Sequence, residues 1–192
     1  MKDAGELSIF DFEHQAAWEQ WLSRNHDKST GAWLRLAKKG ADFRSLSHAE
    51  ALDVALCYGW IDAQKKPENA SAWLERFTPR GKRSIWSKIN CQKAKALIEC
   101  GRMKPGGLAE VERARQDGRW ERAYDSPRSA TVPEDFQVAL DKNAKAKAFF
   151  ATLESRNRYA ILFRIQTVKS GTRERKIREF IAMLARHEKI HP

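Results

Sequence analysis

A chain of 192 residues that is 42% hydrophobic and 10% aromatic can bury a real core and is not a disordered tail. Its formal charge of +11 makes polyanions natural partners, but net charge bears on solubility and association, not on fold. No window approaches the ~20 apolar residues of a membrane helix, and three cysteines (Cys57, Cys91, Cys100) without a C-x-x-C pair argue against a disulfide framework or a zinc knuckle.

In chain order, the stretch Met1 to Phe12 lacks the uninterrupted apolar run of a secretory leader, so the expected location is the cytoplasm, with free buried thiols. Ser8 to Phe12 reads as a short strand, and Asp11 as the cap of a helix carried by Ala17, Trp18, Trp21 and Leu22 on one face. Ala32 to Ala37 alternates as a strand, ending in a turn at Lys38 to Gly40. Ser47 and Glu50 form a capping box for a helix with Ala51, Leu52, Ala55 and Leu56 inside and Gly59 as its C-terminal cap. Trp60 to Gln64 and Ser71 to Phe77 read as two strands joined by a turn over Lys65 to Asn69, where Pro67 suits a loop.

Between Arg80 and Lys104 there are eight basic residues and one acid, so +7 of the net charge lies there. A helix is expected to begin near Ser84 or Ser87 and to stop at Gly101. Pro105 opens the next, which Gly118 ends. Tyr124 to Pro133 has the composition of a linker. Beyond it come four helices: Pro133 to Leu140, one capped by Asn143, Arg156 to Val168, and one after Gly171. The architecture is α+β: a small antiparallel sheet with helices over residues 1–125, and an all-helical region over 126–192 that packs on it and is not an independent domain.

No nucleotide-loop, dinucleotide or H-E-x-x-H motif is present, and no two histidines outside the C-terminal end sit at helical ligand spacing. The reading therefore assigns no catalytic residue, no metal and no cofactor. Asp62, just after Trp60, is suited to orient Arg76 or Arg80 by bidentate bonding. The run from Phe77 through Thr78 and Arg80 to Asn90 places Lys82, Arg83, Ser87 and Lys88 before or at a helix start, where N–H groups and cations would hold an anion. Trp86 offers a stacking face for a ring. Near the C-terminus, Thr172 and Arg173 head a basic segment that either is a solvated helix face or closes the same site.

The segments ALCYGWIDAQKK (Ala55 to Lys66), RFTPRGKRSIWSKIN (Arg76 to Asn90) and GRMKPGGLAEVERARQDGRWERAYD (Gly101 to Asp125), with TRERKI (Thr172 to Ile177) more weakly, resemble the YdeI/OmpD-associated family of bacterial proteins. Val168 to Arg173 reads VKSGTR and departs from the A-K-x-x-E-T-R form expected there. The resemblance implies a link to bacteriocin protection and stress and a nominal association with a porin, but no reaction, cofactor or catalytic residue. Three functions follow. The first is a noncatalytic cytoplasmic binding protein for a phosphate-containing ligand or nucleic acid. The second is an enzyme of unknown class around Trp60, Asp62, Arg76 and Asn90. The third is a pure protein-interaction module without membrane insertion.

Overall fold

The structure, a computed structural model, describes residues 7–192, so the first half of the stretch read for a leader lies outside the described residues. Four strands and eight helices follow in the order β1 (Ile9–Phe10), α1 (Gln15–Asn25), β2 (Ala32–Ala37), α2 (His48–Cys57), β3 (Trp60–Pro67), β4 (Ala72–Pro79), α3 (Lys88–Glu99), α4 (Pro105–Gln116), α5 (Glu134–Asp141), α6 (Ala144–Thr152), α7 (Ser155–Thr167) and α8 (Ser170–Ala185). The α+β class holds. No helix among the described residues is long and apolar enough to cross a membrane. By compactness the chain divides into two units: the described residues up to Ser84 with Gln92–Ala114, and Ile85–Cys91 with Arg115–Pro192. These divisions lie away from the Tyr124 to Pro133 stretch that composition marks as a linker.

The first unit carries a four-stranded sheet in the order β1-β2-β4-β3. Its three long strands are antiparallel as expected, but the two-residue β1 joins β2 in parallel, so the sheet is mixed. Because side chains alternate across a strand, register assigns each residue to a face. Ala32, Leu34, Trp60, Asp62, Glu75 and Phe77 share one face, and Trp33, Arg35, Ile61, Gln64, Arg76 and Thr78 the other. The first of these faces holds the core: Trp60 lies edge-on to Trp18 and Trp21 of α1, and Phe77 packs on Trp18. The hairpin is longer than its sequence suggests. Pro67 ends β3 on the sheet edge, where its missing N–H leaves no gap in the ladder. Asn69 closes the turn by accepting the N–H groups of Ser71 and Ala72.

Local chemistry sets the helix boundaries. The capping box at Ser47 is complete, and Gly59 after α2 has φ +76°, a conformation side chains resist. Asp11 does not cap α1, whose N-cap is His14; Asp11 is drawn instead to the Arg35 guanidinium at 2.8 Å. Gly107 and Gly59 permit the start of α4 to lie against the end of α2. A Cβ on Gly107 would stand 2.4 Å from the Cys57 carbonyl oxygen, and one on Gly59 would stand 2.7 Å from that of Gly106.

In the second unit, Phe136, Leu140, Ala146, Phe150, Leu153, Ile161, Leu162, Ile165, Ile177, Phe180 and Leu184 of α5 to α8 form one apolar core. Asn143 caps α6 as expected. Gly171 does not separate α7 from α8 but lies in the first turn of α8. Trp86 is buried against Trp120, and Ser87 forms a parallel bridge with Tyr124.

Candidate functional site

The basic segment after β4 is a closed turn. Gly81 donates its N–H to Ser84 Oγ at 2.9 Å, and the Ser84 N–H returns to the Gly81 carbonyl at 3.0 Å. Ser84 thus closes a four-residue turn and caps no helix. Its two central residues, Lys82 and Arg83, are exposed. Among the described residues neither has an acidic partner. The root is fixed in the fold: the Arg80 N–H donates to the Gly59 carbonyl at 3.0 Å, and Arg113 Nη2 donates to the Arg80 carbonyl at 3.3 Å. Arg80 itself is buried at 5% exposure, so it anchors the turn where the sequence suggested a charge reader.

The start of α3 is occupied by the protein's own acceptors. Ser87 Oγ accepts the Asn90 N–H at 3.1 Å, and the Tyr124 carbonyl accepts the Lys88 N–H at 2.8 Å. A helix start draws anions through its orphan N–H groups; here two of them are satisfied internally. The Lys88 ammonium is 2.9 Å from Asp125, which also accepts from Gln166 Nε2 at 2.7 Å. Trp86 is 2% exposed and Trp60 1%, the latter donating its indole N–H to the His26 carbonyl at 3.0 Å. Neither ring offers a stacking face; both are core.

The proposed pairing of Asp62 with Arg76 or Arg80 does not form, for a geometric reason. Asp62 is opposite Phe77 while Gln64 is opposite Arg76, so β3 carries one extra residue, a β-bulge. Asp62 therefore faces the core side and Arg76, with Thr78, the other. Arg76 Nη1 reaches Gln64 at 3.4 Å. The Asp62 neighbours are His48, whose Nε2 is 3.5 Å from its carboxylate, and Glu75. One ligand atom from each of His48, Asp62 and Glu75 lies within 4.8 Å of the others. The bond to Asp62 raises the basicity of the His48 imidazole above its ordinary value, against the effect of its burial. Burial pushes the Glu75 carboxyl up, and the neighbouring Asp62 pushes the same way.

In the second unit, Arg173 is a clamp between helices. Its guanidinium binds both oxygens of Asp135, at 2.6 and 3.0 Å, and donates to the Ile165 carbonyl. Thr172 turns its hydroxyl to the Lys169 carbonyl. Arg175 and Lys176 pair with Glu179, and Arg178 with Glu174, which makes this a solvated helix face whose cations are each paired within the helix.

Sequence reasoning passed over His48 and Glu75. The signal for Glu75 was present in W-L-E-R-F: Trp73, Glu75 and Phe77 share a strand face, so an acid was placed between two aromatics, half-buried Trp73 and buried Phe77. His48 carried no such signal, since its approach to Asp62 depends on the bulge. A groove lined by Pro127, Arg156, Tyr159, Phe163, Arg164 and His191 was also missed, because it gathers residues from the linker, α7 and the chain end.

Two family models match the chain. One, described as a domain of unknown function (DUF8412), covers residues 10–110, more than half of it. The other, described as bacteriocin-protection, YdeI or OmpD-associated, covers residues 129–187. The YdeI/OmpD resemblance is thus supported in the C-terminal helices, where its motif was weakest, and most of the longer motifs fall in the first match. No curated protein and no solved structure matches.

Proposed function

The chain belongs to the DUF8412 family and carries a YdeI/OmpD-associated region, and from that premise we propose a noncatalytic cytoplasmic binding protein for an anionic partner, acting in bacteriocin protection or stress tolerance. The single observation that carries the reading is the state of the turn cations. Of the basic residues that sequence singled out, Lys88 and Arg173 are paired with acids, Arg80 is buried, and Arg76 turns to Gln64. Lys82 and Arg83 alone in that set stand in solvent with no acidic partner among the described residues. Their backbone is held by the Gly81–Ser84 hydrogen bonds, so less loop entropy opposes binding.

A phosphate-rich partner, a nucleotide or a nucleic acid, fits two adjacent exposed cations on a protein of charge +11. Affinity should come from charge and carry little sequence preference, because base stacking on Trp86 is not available. The test is fluorescence anisotropy of a labelled single-stranded oligonucleotide, with a nucleoside triphosphate as competitor, at low and moderate salt. Saturable binding that weakens with salt and falls in a Lys82→Ala, Arg83→Ala double variant supports the reading. Absence of binding at low salt rejects it in favour of a protein-interaction module.

A further inference from the structure

We propose that His48, Asp62 and Glu75 form a binding site for a divalent first-row transition-metal ion. The observation that points to a ligand is Glu75. It lies on β4, an interior strand of the sheet, on the core face between Trp73 and Phe77 and opposite Leu34. It is 5% exposed, and its Oε2 has no hydrogen-bond partner among the described residues. Buried acids are otherwise paired, protonated or bound to a cation, since an uncompensated one carries a large desolvation cost. This one is directed at two further ligand atoms, those of His48 and Asp62, all three within 4.8 Å of one another.

The geometry suits an ion. Bonds of about 2.0–2.1 Å to nitrogen and oxygen imply ligand separations of roughly 3.3 Å in a tetrahedral set. His48 Nε2 and Asp62 Oδ2 are already 3.5 Å apart, and side-chain rotation closes the wider separations. Each ligand is placed by a different local device: Glu75 by the interior strand, Asp62 by the β-bulge, and His48 by the capping box that fixes the first turn of α2. Asp62 and His48 side chains are 33% and 38% exposed, so the site has a buried floor and a solvent-open mouth. An imidazole with two carboxylates favours zinc, manganese or iron(II) over calcium or magnesium. Three protein ligands leave a four-coordinate ion one position open to water or a small anion.

The competing arrangement is ionic. Lys65 shares this face, its ammonium 3.5 Å from the Trp73 ring centre, and with a protonated His48 it would neutralise both carboxylates without a metal. Titration of the chelator-treated full chain with Zn2+ and, separately, Mn2+ separates the two. Mn2+ is included because free thiols bind it weakly, which removes the three cysteines as a source of signal. The expected result is one saturable site per chain for both ions. Glu75→Gln and Asp62→Asn should each weaken it by at least the about 10–100-fold that the loss of an outer-shell partner costs. Glu75→Gln keeps the side-chain shape, and Asp62→Asn lies at the open mouth, so at least one variant stays folded, as circular dichroism will report. No saturable binding of either ion, or parental affinity in a folded variant, overturns the proposal and leaves the ionic arrangement.

Discussion

Replacing Gly107 by alanine should destabilise the protein, against the sign that helix propensity gives. Gly107 is in the first turn of α4, where alanine is worth at most about 1 kcal/mol more than glycine. The added methyl, however, would stand 2.4 Å from the Cys57 carbonyl oxygen, 2.7 Å from that of Leu56 and 2.4 Å from Met103 Sδ. The methionine can rotate away, but the two backbone carbonyls end α2 and cannot. Relief requires α4 to withdraw, at the 1–3 kcal/mol typical of overpacking, about 2 in the middle. Withdrawal also stretches the Lys104 N–H bond to the Cys57 carbonyl, now 3.1 Å, for about 1 kcal/mol more. Net of propensity, Gly107→Ala should lose about 2 kcal/mol. Gly171→Ala is the internal control: it is also in a first turn, in α8, with negative φ and nothing within 4 Å of the new methyl. It should gain about 0.4–1 kcal/mol by restricting the unfolded chain. Urea unfolding followed by circular dichroism measures both. If Gly107→Ala is as stable as the parent, the close approach of α4 to α2 is wrong; if Gly171→Ala loses stability, the open space at the first turn of α8 is wrong.

The thiols should react unequally. Against the expectation that the thiols are buried, Cys100 is exposed, whereas Cys91 is buried and burial pushes the Cys57 thiol up to about 11. A thiol reagent should therefore label one cysteine quickly and the other two slowly, with all three free once the chain is denatured; three equal rates would contradict this. Arg173→Ala should cost about 1–2 kcal/mol in thermal unfolding, a charge-assisted bond discounted for its partly exposed position. Arg173 holds the Asp135 carboxyl below its usual range, so this contribution is present above the unfolded pKa near ~4 and lost as pH falls through the lower folded value. The gap between variant and parent should narrow in that window, and a gap unchanged at low pH would show that Arg173 acts by packing.

Features set by neighbours in sequence were the legible ones. The Ser47 capping box, β2, the Gly59 cap, Pro105 at the head of α4 and the Asn143 cap each depend on residues within a few positions. Asp11 was misread because a carboxylate before a helix can cap it or meet a guanidinium remote in sequence, and Arg35 stands beside it on the neighbouring strand β2. The candidate site was less legible for the same reason. Lys82 and Arg83 were singled out from charge density, but which basic residues meet an acid among the described residues could not be read there: Lys88 and Asp125 are far apart in sequence, as are Arg173 and Asp135. The aromatic half of the site was misassigned, since composition does not tell a buried tryptophan from a stacking one. Asp62 was noticed, yet a single extra residue in β3 sends it to His48 and Glu75 and away from Arg76.

The most direct test of the anion-binding reading is the salt dependence of oligonucleotide affinity in the parent and in the Lys82→Ala, Arg83→Ala double variant. Each cation that displaces a counterion from a single strand adds about 0.7 to the slope of log affinity against log salt. The variant should fold as the parent does, because both side chains are exposed at a turn held by Gly81 and Ser84. The expected result is weaker binding at low salt and a slope shallower by about 1.4. An identical slope and affinity in the two proteins would contradict the assignment of the turn as the point of contact.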